Sequence, residues 1–305
     1  MFMDAQEHAV RPSWVDRDEY PFSTAIANVG GHRIHYVDTA APGQSGPTLL
    51  FLHGNPTWSF VYRDVIRALP ASVRCVAPDL PGFGLSDAAD DFDGTFVAHA
   101  AAIERFVDAL GLEDVVLVAQ DWGGPIGLRL LERTPQRFRG VALCNTWAWP
   151  VADDPHFARF AGAMGGRVGA FFTRHGNLFV NLMIPIGHRR RRVTRAEMTH
   201  YRRAMGTARR RGFSAVLPRE IVAATPHLVE LEAGLSVLSA IPVLIMWGDR
   251  DIAFREPELA RWRTIAPHAH VEVIEGAGHF LPSDAPAEVA ASLRGWLANI
   301  PGAAK

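Results

Sequence analysis

The stretch DVVLVAQDWGG, residues 114–124, decides the fold class of this chain. It passes from the predicted strand Asp114–Ala119, which is continuously apolar after its first residue, into a turn that is followed by small residues. A short unbroken apolar run is typical of a strand covered on both faces, as in a parallel sheet. A buried strand that leads through a strained turn into a helix is the context of a nucleophile elbow, here with Asp121 at the apex. Aspartate is also a good helix N-cap, so the stretch alone leaves both interpretations open.

The segments around this stretch alternate between strand and helix patterns. Strands are predicted at Phe22–Val29, His32–Asp38, Thr48–Leu52, Val73–Pro78, Asp114–Ala119, Arg139–Leu143, Pro242–Trp247 and Val271–Ile274. Helices are predicted near Thr57–Leu69, Thr95–Leu110, Gly124–Arg133 and Ala287–Leu297. Gly30-Gly31 indicates a hairpin between the first two strands. This order predicts an α/β fold with a mostly parallel eight-stranded sheet, helices on both faces and ligands bound at the carboxyl ends of the strands.

Composition and charge exclude several classes of protein. The chain has 305 residues, 31 basic and 32 acidic side chains and 48% hydrophobic residues, unlike a disordered chain or a nucleic-acid-binding tail. Two cysteines, Cys75 and Cys144, are too few for a disulfide scaffold and favour the cytoplasm. The N-terminal segment lacks the apolar core of a signal peptide, and no uncharged apolar run approaches about 18 residues. We therefore expect neither a nucleic acid nor a membrane as a partner.

Charge is distributed unevenly along the chain. Trp147–Glu232 contains 14 arginines and 6 acidic residues, a net charge of +8, which leaves −9 for the rest. This shift predicts a helical cap domain at 147–232, inserted into an α/β core domain made of 1–146 and 233–305. The arginine run His188–Arg195 lacks interleaved aromatic residues, so we expect a solvated or subunit-contacting face there. Seven apolar cap residues are candidates for the core of the cap or for the wall of a pocket: Phe157, Phe160, Phe171, Phe172, Phe179, Leu182 and Met183.

The loop after the third predicted strand reads His53-Gly54-Asn55-Pro56. In a sheet with a nucleophile elbow, this loop supplies one backbone N–H of the oxyanion hole, and the residue after the nucleophile supplies the other. That rule assigns the two amides to Asn55 and Trp122. An ordinary turn rich in Gly, Asn and Pro is the alternative interpretation.

Two late loops offer the remaining members of a catalytic triad. Trp247-Gly248-Asp249-Arg250-Asp251 follows the seventh predicted strand, and Asp251, further out on the loop, is better placed than Asp249 to turn towards a histidine. His279 lies in the glycine-rich loop Gly276–Phe280 after the last strand. The order nucleophile, acid, histidine is the one expected for this elbow.

Six sequence blocks carry a family resemblance. They are HGNPTWSFVYR (53–63), DLPGFGLSD (79–87), QDWGGPIGL (120–128), NTWAWP (145–150), WGDRDIAF (247–254) and GAGHF (276–280). In this order they resemble the α/β-hydrolase superfamily over nearly the whole chain and, within it, the haloalkane dehalogenases. That family places its acid either after the strand before the cap or after the next core strand. The first position, Leu143–Thr146, holds no carboxylate, and the second holds Asp251.

The resemblance also implies a halide site. The family uses the tryptophan beside the nucleophile together with either an asparagine of the first loop or a tryptophan from the cap. Asn55 and Trp122 are present, and a contribution from Trp147 or Trp149 stays open. Asn55 with a late aspartate resembles the third dehalogenase subfamily, whose members self-associate, so the resemblance implies a homo-oligomer.

The chemistry of these residues suits displacement at a saturated carbon. Asp121 attacks a small apolar halogenated substrate and expels halide, leaving an alkyl ester on the enzyme. The indole N–H of Trp122 and the amide of Asn55 meet the departing halide ion. His279, held by Asp251, then activates water, which hydrolyses the ester and releases a primary alcohol. The products are therefore the alcohol, a halide ion and a proton. No metal and no organic cofactor is required.

Three other functions share parts of this pattern. An epoxide hydrolase usually needs two cap tyrosines, but Tyr201 is the only tyrosine after Tyr62. A fluoroacetate-type dehalogenase has arginine directly after the nucleophile, where this chain has Trp122. A non-catalytic α/β-hydrolase that binds a ligand usually lacks a triad residue, and all three are present here. Hydrolytic dehalogenation is therefore the expected function.

Overall fold

The computed structural model describes residues 7–41 and 46–300. The prediction that the chain has no signal peptide rests partly on residues 1–6, which lie outside the described residues. Among the described residues, no single helix is long and apolar enough to cross a membrane. The helical segments 208–223 and 225–240 reach that length and apolar composition only when they are taken together, and the chain bends by 69° between them.

A single mixed sheet organises the described chain. Its strands are β1 (Glu7–His8), β2 (Thr24–Val29), β3 (His32–Asp38), β4 (Thr48–Leu52), β5 (Arg74–Pro78), β6 (Val115–Gln120), β7 (Phe138–Cys144), β8 (Val243–Gly248) and β9 (His270–Ile274). Their order across the sheet is β1-β2-β3-β5-β4-β6-β7-β8-β9. In this order, every neighbouring pair from β5 through β4, β6, β7 and β8 to β9 is parallel. At the other edge, the pairs β1–β2, β2–β3 and β3–β5 are antiparallel. The eight expected strands are confirmed, and the two-residue β1 adds a ninth.

Twelve α-helices lie within the described residues. They are α1 (Arg63–Ala68), α2 (Phe96–Ala109), α3 (Gly123–Arg133), α4 (Pro155–Gly165), α5 (Arg167–Gly176), α6 (Leu178–Gly187), α7 (Arg195–Ala204), α8 (Ala208–Ala223), α9 (Thr225–Gly234), α10 (Glu256–Ile265), α11 (Leu281–Asp284) and α12 (Pro286–Leu297). Short 3-10 helices cover Ser59–Tyr62, Pro135–Arg137 and Leu235–Ala240. Helix α1 packs with α12, and α2 packs with α3.

The predicted insertion corresponds to helices α4–α9, which lie between β7 and β8 in the chain. Within it, α8 packs against both α4 and α5. The predicted boundary at residue 232 falls inside α9, which ends at Gly234. In the arginine run, Arg189, Arg190, Arg192 and Arg195 are exposed, whereas His188 is buried and Arg191 is paired with Glu197.

The buried centre of the sheet explains the apolar runs of the sequence. Every residue of β4, β6 and β8 is buried, so these strands contain almost no polar side chains. At the end of β6 the backbone turns sharply, with Asp121 at a φ of +52°. A side chain on Gly123 would collide with the carbonyl of Leu52, and one on Gly124 would collide with Thr146. The small residues of the elbow are therefore required by the close approach of neighbouring loops.

Candidate active site

Three loops at the carboxyl ends of β6, β8 and β9 bring Asp121, Asp251 and His279 together. Nδ1 of His279 is 3.0 Å from Oδ2 of Asp251. On the other side of the ring, Nε2 is 3.6 Å from Oδ2 of Asp121. All three residues are buried, and the side chain of Asp251 is fully enclosed. The imidazole therefore lies between the two carboxylates, with one ring nitrogen facing each.

The two oxygens of Asp121 have different surroundings. The backbone N–H of Asn55, in the loop after β4, donates to Oδ1 over 2.8 Å. The backbone N–H of Trp122 also stabilises this carboxylate. Oδ2 is the oxygen on the His279 side. Oδ1 is thus held by the main-chain N–H of Asn55, and Oδ2 faces the histidine.

Burial and charge act against each other at these groups. Burial raises the pKa of Asp121 above its usual value, although His279 and the N–H groups of Trp122 and Asn55 oppose this change. Burial by itself would lower the pKa of His279, but the carboxylates of Asp251 and Asp121 outweigh it and the pKa is raised. The site therefore favours an imidazole that binds a proton readily.

The two acids of the loop after β8 are separated by the structure. Asp251 contacts His279 and also accepts a hydrogen bond from the backbone of Ala253. Asp249 points away and accepts from the backbone N–H of Gly276 over 2.6 Å. The geometry thus pairs His279 with the acid that the sequence favoured.

The side chain of Asn55 is fixed by the cap. Its Nδ2 donates to the carbonyl of Ser214 in α8 over 3.0 Å, and the Ser214 hydroxyl donates to Oδ1 over 2.7 Å. An amide nitrogen has two hydrogens, so one N–H of Asn55 is left for another acceptor. Asn55 lines the cavity next to Asp121, where that acceptor would lie.

Three tryptophans lie near the site, but they are not equivalent. Trp122 lines the cavity and makes no side-chain hydrogen bond within the described part of the chain. Trp147 also lines the cavity, 4.7 Å from Trp122 between ring centroids, and its Nε1 is buried without a partner in the described chain. Trp149 packs instead on Trp262, with ring centroids 4.9 Å apart. Of the two further tryptophans left open by the sequence, only Trp147 reaches the cavity.

A cavity of about 250 Å³ lies above Asp121, and its wall is mostly apolar. Four of the candidate cap residues contribute to it: Phe157, Phe160, Phe179 and Met183. The expectation that Phe171, Phe172 and Leu182 lie in the core of the cap or in the wall of a pocket was wrong, because they are 57%, 54% and 40% exposed. These three lie on the outward sides of α5 and α6, and an apolar residue on a helix does not by itself show which side is covered.

Two polar residues at the site were not predicted from the sequence. Gln120, the last residue of β6, contacts His279 through its side-chain amide. Ser214 holds Asn55 from a position 159 residues away in the chain. A polar residue at the end of an otherwise apolar strand was the signal available for Gln120, whereas nothing local marks Ser214.

Two further observations limit the chemistry of the described residues. Among them, no group of three or more His, Cys, Asp or Glu is arranged to hold a metal ion. Tyr201 is fully buried against Phe60 and is not part of the cavity wall, so it cannot serve as a phenolic donor there.

Comparison with known proteins identifies the family. A model of the α/β-hydrolase fold matches residues 47–286. The chain is 40% identical to haloalkane dehalogenase 2 of Mycobacterium tuberculosis, over 91% of this chain and 96% of the relative. It is 30% identical to cis-3-alkyl-4-alkyloxetan-2-one decarboxylase of Shewanella oneidensis, over 91% of this chain and 89% of that protein. The crystal structure of haloalkane dehalogenase DbeA from Bradyrhizobium elkani superposes with a TM-score of 0.83 at 30% identity, covering 93% of this chain and 100% of that one.

The fold, the elbow and the family model together define an α/β hydrolase. At the similarity just given, the chain belongs to the haloalkane dehalogenases, hydrolases that act on carbon–halide bonds.

Proposed function

We propose that this enzyme hydrolyses small haloalkanes through a covalent ester on Asp121, with His279 and Asp251 as base and supporting acid. The observation that carries the proposal is the pair of contacts around His279, whose Nδ1 faces Asp251 at 3.0 Å and whose Nε2 faces Asp121 at 3.6 Å. Above them lies an apolar cavity that suits an uncharged substrate.

The first step is displacement of the halide by Asp121. Oδ2 forms a bond to the substrate carbon, and the halide leaves with the electron pair of the carbon–halogen bond. The free amide hydrogen of Asn55 and the indole N–H of Trp122 then donate to the halide ion in the cavity. Neutral donors suit this role because no buried cation has to be desolvated.

The second step is hydrolysis of the ester. Water attacks the carbonyl carbon of Asp121 while Nε2 of His279 takes its proton. Negative charge then develops on Oδ1, to which the N–H of Asn55 already donates, and the nearby N–H of Trp122 also favours negative charge on this group. Collapse breaks the bond to the alkyl oxygen, which receives the proton from His279 and leaves as the alcohol. The carboxyl proton is released to solvent with the halide.

Release of bromide from 1-bromobutane or 1,2-dibromoethane tests this function. Purified protein is expected to release bromide and one proton per turnover without added metal or nucleotide, and a chelator is expected to leave the rate unchanged. Turnover of styrene oxide without turnover of any haloalkane would contradict the proposal.

Similarity to the oxetanone decarboxylase supplies a second candidate function, the decarboxylation of a dialkyl β-lactone. The cavity of about 250 Å³ favours the smaller haloalkane, because the lactone carries a ring and two alkyl substituents. Incubation with a cis-3,4-dialkyl-oxetan-2-one distinguishes the two functions. Loss of carbon dioxide from the lactone, with no halide released from bromoalkanes, would favour decarboxylation.

We further infer a cytoplasmic homo-oligomer. Cys75 and Cys144 are both buried and unpaired, which is consistent with a reducing compartment. Self-association is inferred from Asn55 and the late acid Asp251, the combination that resembles the third dehalogenase subfamily. Cell fractionation and light scattering of the purified protein test the two inferences separately.

A further inference from the structure

Gln120 occupies a position that the mechanism above does not use. It is completely buried at the end of β6, directly before the nucleophile. Its Nε2 lies 3.2 Å from Nε2 of His279 and 3.1 Å from the carbonyl oxygen of the same residue. Its Oε1 is buried and has no hydrogen-bond partner among the described residues.

The carbonyl of His279 fixes the orientation of this amide. A main-chain carbonyl oxygen only accepts hydrogen bonds, so the NH₂ group of Gln120 must face it. Rotating the amide by half a turn would bring Oε1 against that carbonyl, and two acceptors would meet. The NH₂ orientation is kept although it leaves Oε1 without a partner, which is unfavourable in a buried place.

This orientation has a consequence for the imidazole. Because an N–H group of Gln120 points at Nε2 of His279, Nε2 must present its lone pair and the ring proton must be on Nδ1. Nδ1–H then donates to Asp251, 3.0 Å away. We propose that Gln120 is a positioning residue that holds His279 in the Nδ1-protonated form, with Nε2 free to take a proton from water.

This role rests on the proposed ester mechanism, because only the hydrolysis step needs Nε2 as a base. The contact is long for a hydrogen bond, so an attacking water can compete with Gln120 for the lone pair. Alkylation of Asp121 does not use Nε2. The proposal therefore predicts that changes at Gln120 affect hydrolysis of the ester and spare its formation.

Several other charged or titratable groups surround the histidine. Asp251 and Asp121 face the ring from the loops after β8 and β6. The end of α6 packs on Phe280 and the Cβ of His279 at Gly187. Beyond it lie His188, against Phe280, and the exposed Arg189, while Asp284 accepts from the backbone N–H of Gly278. None of these residues is replaced when Gln120 is substituted. A new charge at position 120 also acts on Asp121, and the halide burst, which depends on Asp121 and not on Nε2, separates that effect from one on His279.

Two variants of nearly the same size test the proposal by stopped-flow halide release. In Gln120→Glu the carboxylate favours a proton on Nε2, so the acid limb of kcat is expected to move up by about one to three pH units while the first-turnover halide burst is kept. In Gln120→Met the contact is lost without added charge, and hydrolysis is expected to slow at least about tenfold with the burst kept. Gln136→Glu, at an exposed position, controls for added charge.

An unmoved acid limb in Gln120→Glu, or hydrolysis at the wild-type rate in Gln120→Met, would overturn the proposal. Equal loss of burst and hydrolysis in both variants would also overturn it, since that pattern indicates only a structural role. Nitrogen NMR of the wild-type protein gives a test that needs no variant to fold well. With the His279 signals identified from His279→Phe, Nδ1 is expected to carry the proton above the pKa of this residue, and a proton on Nε2 would contradict the role. Because NMR requires no turnover, its result stands even if the enzyme acts on no haloalkane.

Discussion

Within the described residues, two buried histidines each contact an aspartate through Nδ1, and one of these pairs lies in the active site. In the first, Nδ1 of His279 is 3.0 Å from Asp251. In the second, Nδ1 of His35 on β3 is 2.8 Å from Oδ2 of Asp79, which follows β5. The two pairs use the same atoms at nearly the same distance. Geometry within the pair therefore does not distinguish a catalytic group from a structural one.

The surroundings of the second ring nitrogen make the difference. Nε2 of His279 faces Asp121 at the floor of the cavity. Nε2 of His35 is buried and has no partner in the described chain. Asp79 instead accepts hydrogen bonds from the backbone N–H groups of Ser59 and Leu85, each over 2.8 Å. The second pair thus ties the loops after β4 and β5 together, whereas the first leaves one nitrogen available for proton transfer.

The largest expected effect separates the two pairs by activity. Asp251→Asn removes the group that stabilises the imidazolium, so steady-state turnover is expected to fall on the order of 10³- to 10⁴-fold. Asp79→Asn, if folded, is expected to keep turnover within about threefold, because Asp79 touches no reacting atom. Steady-state bromide release measures both. Asp249→Asn is the matched control, since Asp249 lies on the same loop but contacts Gly276 and Arg250 instead of His279. A similar loss in the Asp79 and Asp251 variants would remove the distinction between the pairs.

The next effect separates the pairs by stability. Burial alone would raise the pKa of Asp79, but His35, His53 and the Leu85 N–H favour the carboxylate and hold the pKa below its usual value. A lowered pKa means that the ionised group stabilises the fold above about pH 4 and that this contribution is lost as the pH falls further. At pH 7, Asp79→Asn is expected to lower the free energy of unfolding by about 3 kcal/mol.

Urea unfolding at several pH values measures this effect. The difference between Asp79→Asn and wild type is expected to shrink below about pH 4, because the carboxylate of the unfolded chain takes up a proton there before that of the folded protein does. A difference that stays constant down to pH 2 would show that the charge of Asp79 is not what stabilises the loops.

The smallest effect extends the comparison to tryptophans. Both indoles line the cavity, but only Trp122 directly follows the nucleophile in the chain, and we expect its N–H to be the main donor to the halide. Trp122→Phe is expected to weaken bromide binding about tenfold, because one hydrogen bond to a charged group is lost. Trp147→Phe is expected to change it less than about twofold. Product inhibition by bromide is the suitable measurement, and a larger effect in Trp147→Phe would place the halide on the cap side.

The sequence predicted those parts of the fold and site that depend on local pattern. The apolar runs of β4, β6 and β8, the turn at Asp121 and the loop of His279 each contain their own signal within a few residues. The eight strands and the family were confirmed. The geometry brings Asp121, Asp251 and His279 together, but their catalytic roles remain predictions.

The remaining features depend on packing between distant segments. Ser214 holds Asn55 only because α8 lies over the loop after β4. His35 on β3 and Asp79 after β5 form their pair although they are 44 residues apart in the chain. Phe171 and Phe172 were assigned to the interior of the cap, although a helix of mixed apolar and basic residues does not reveal which face other helices cover.

The central claim is that Asp121 carries the substrate as an ester and that hydrolysis of this ester requires His279. Intact-protein mass spectrometry of His279→Phe treated with 1-bromobutane tests it most directly. This variant is expected to release one bromide per active site and then to stop. Its mass is expected to increase by one butyl group, which digestion places on Asp121. The matched change in the other pair is His35→Phe. The folded form of this variant is expected to show no persistent adduct. A butyl group on another residue, or a bromide burst without any adduct, would contradict the account.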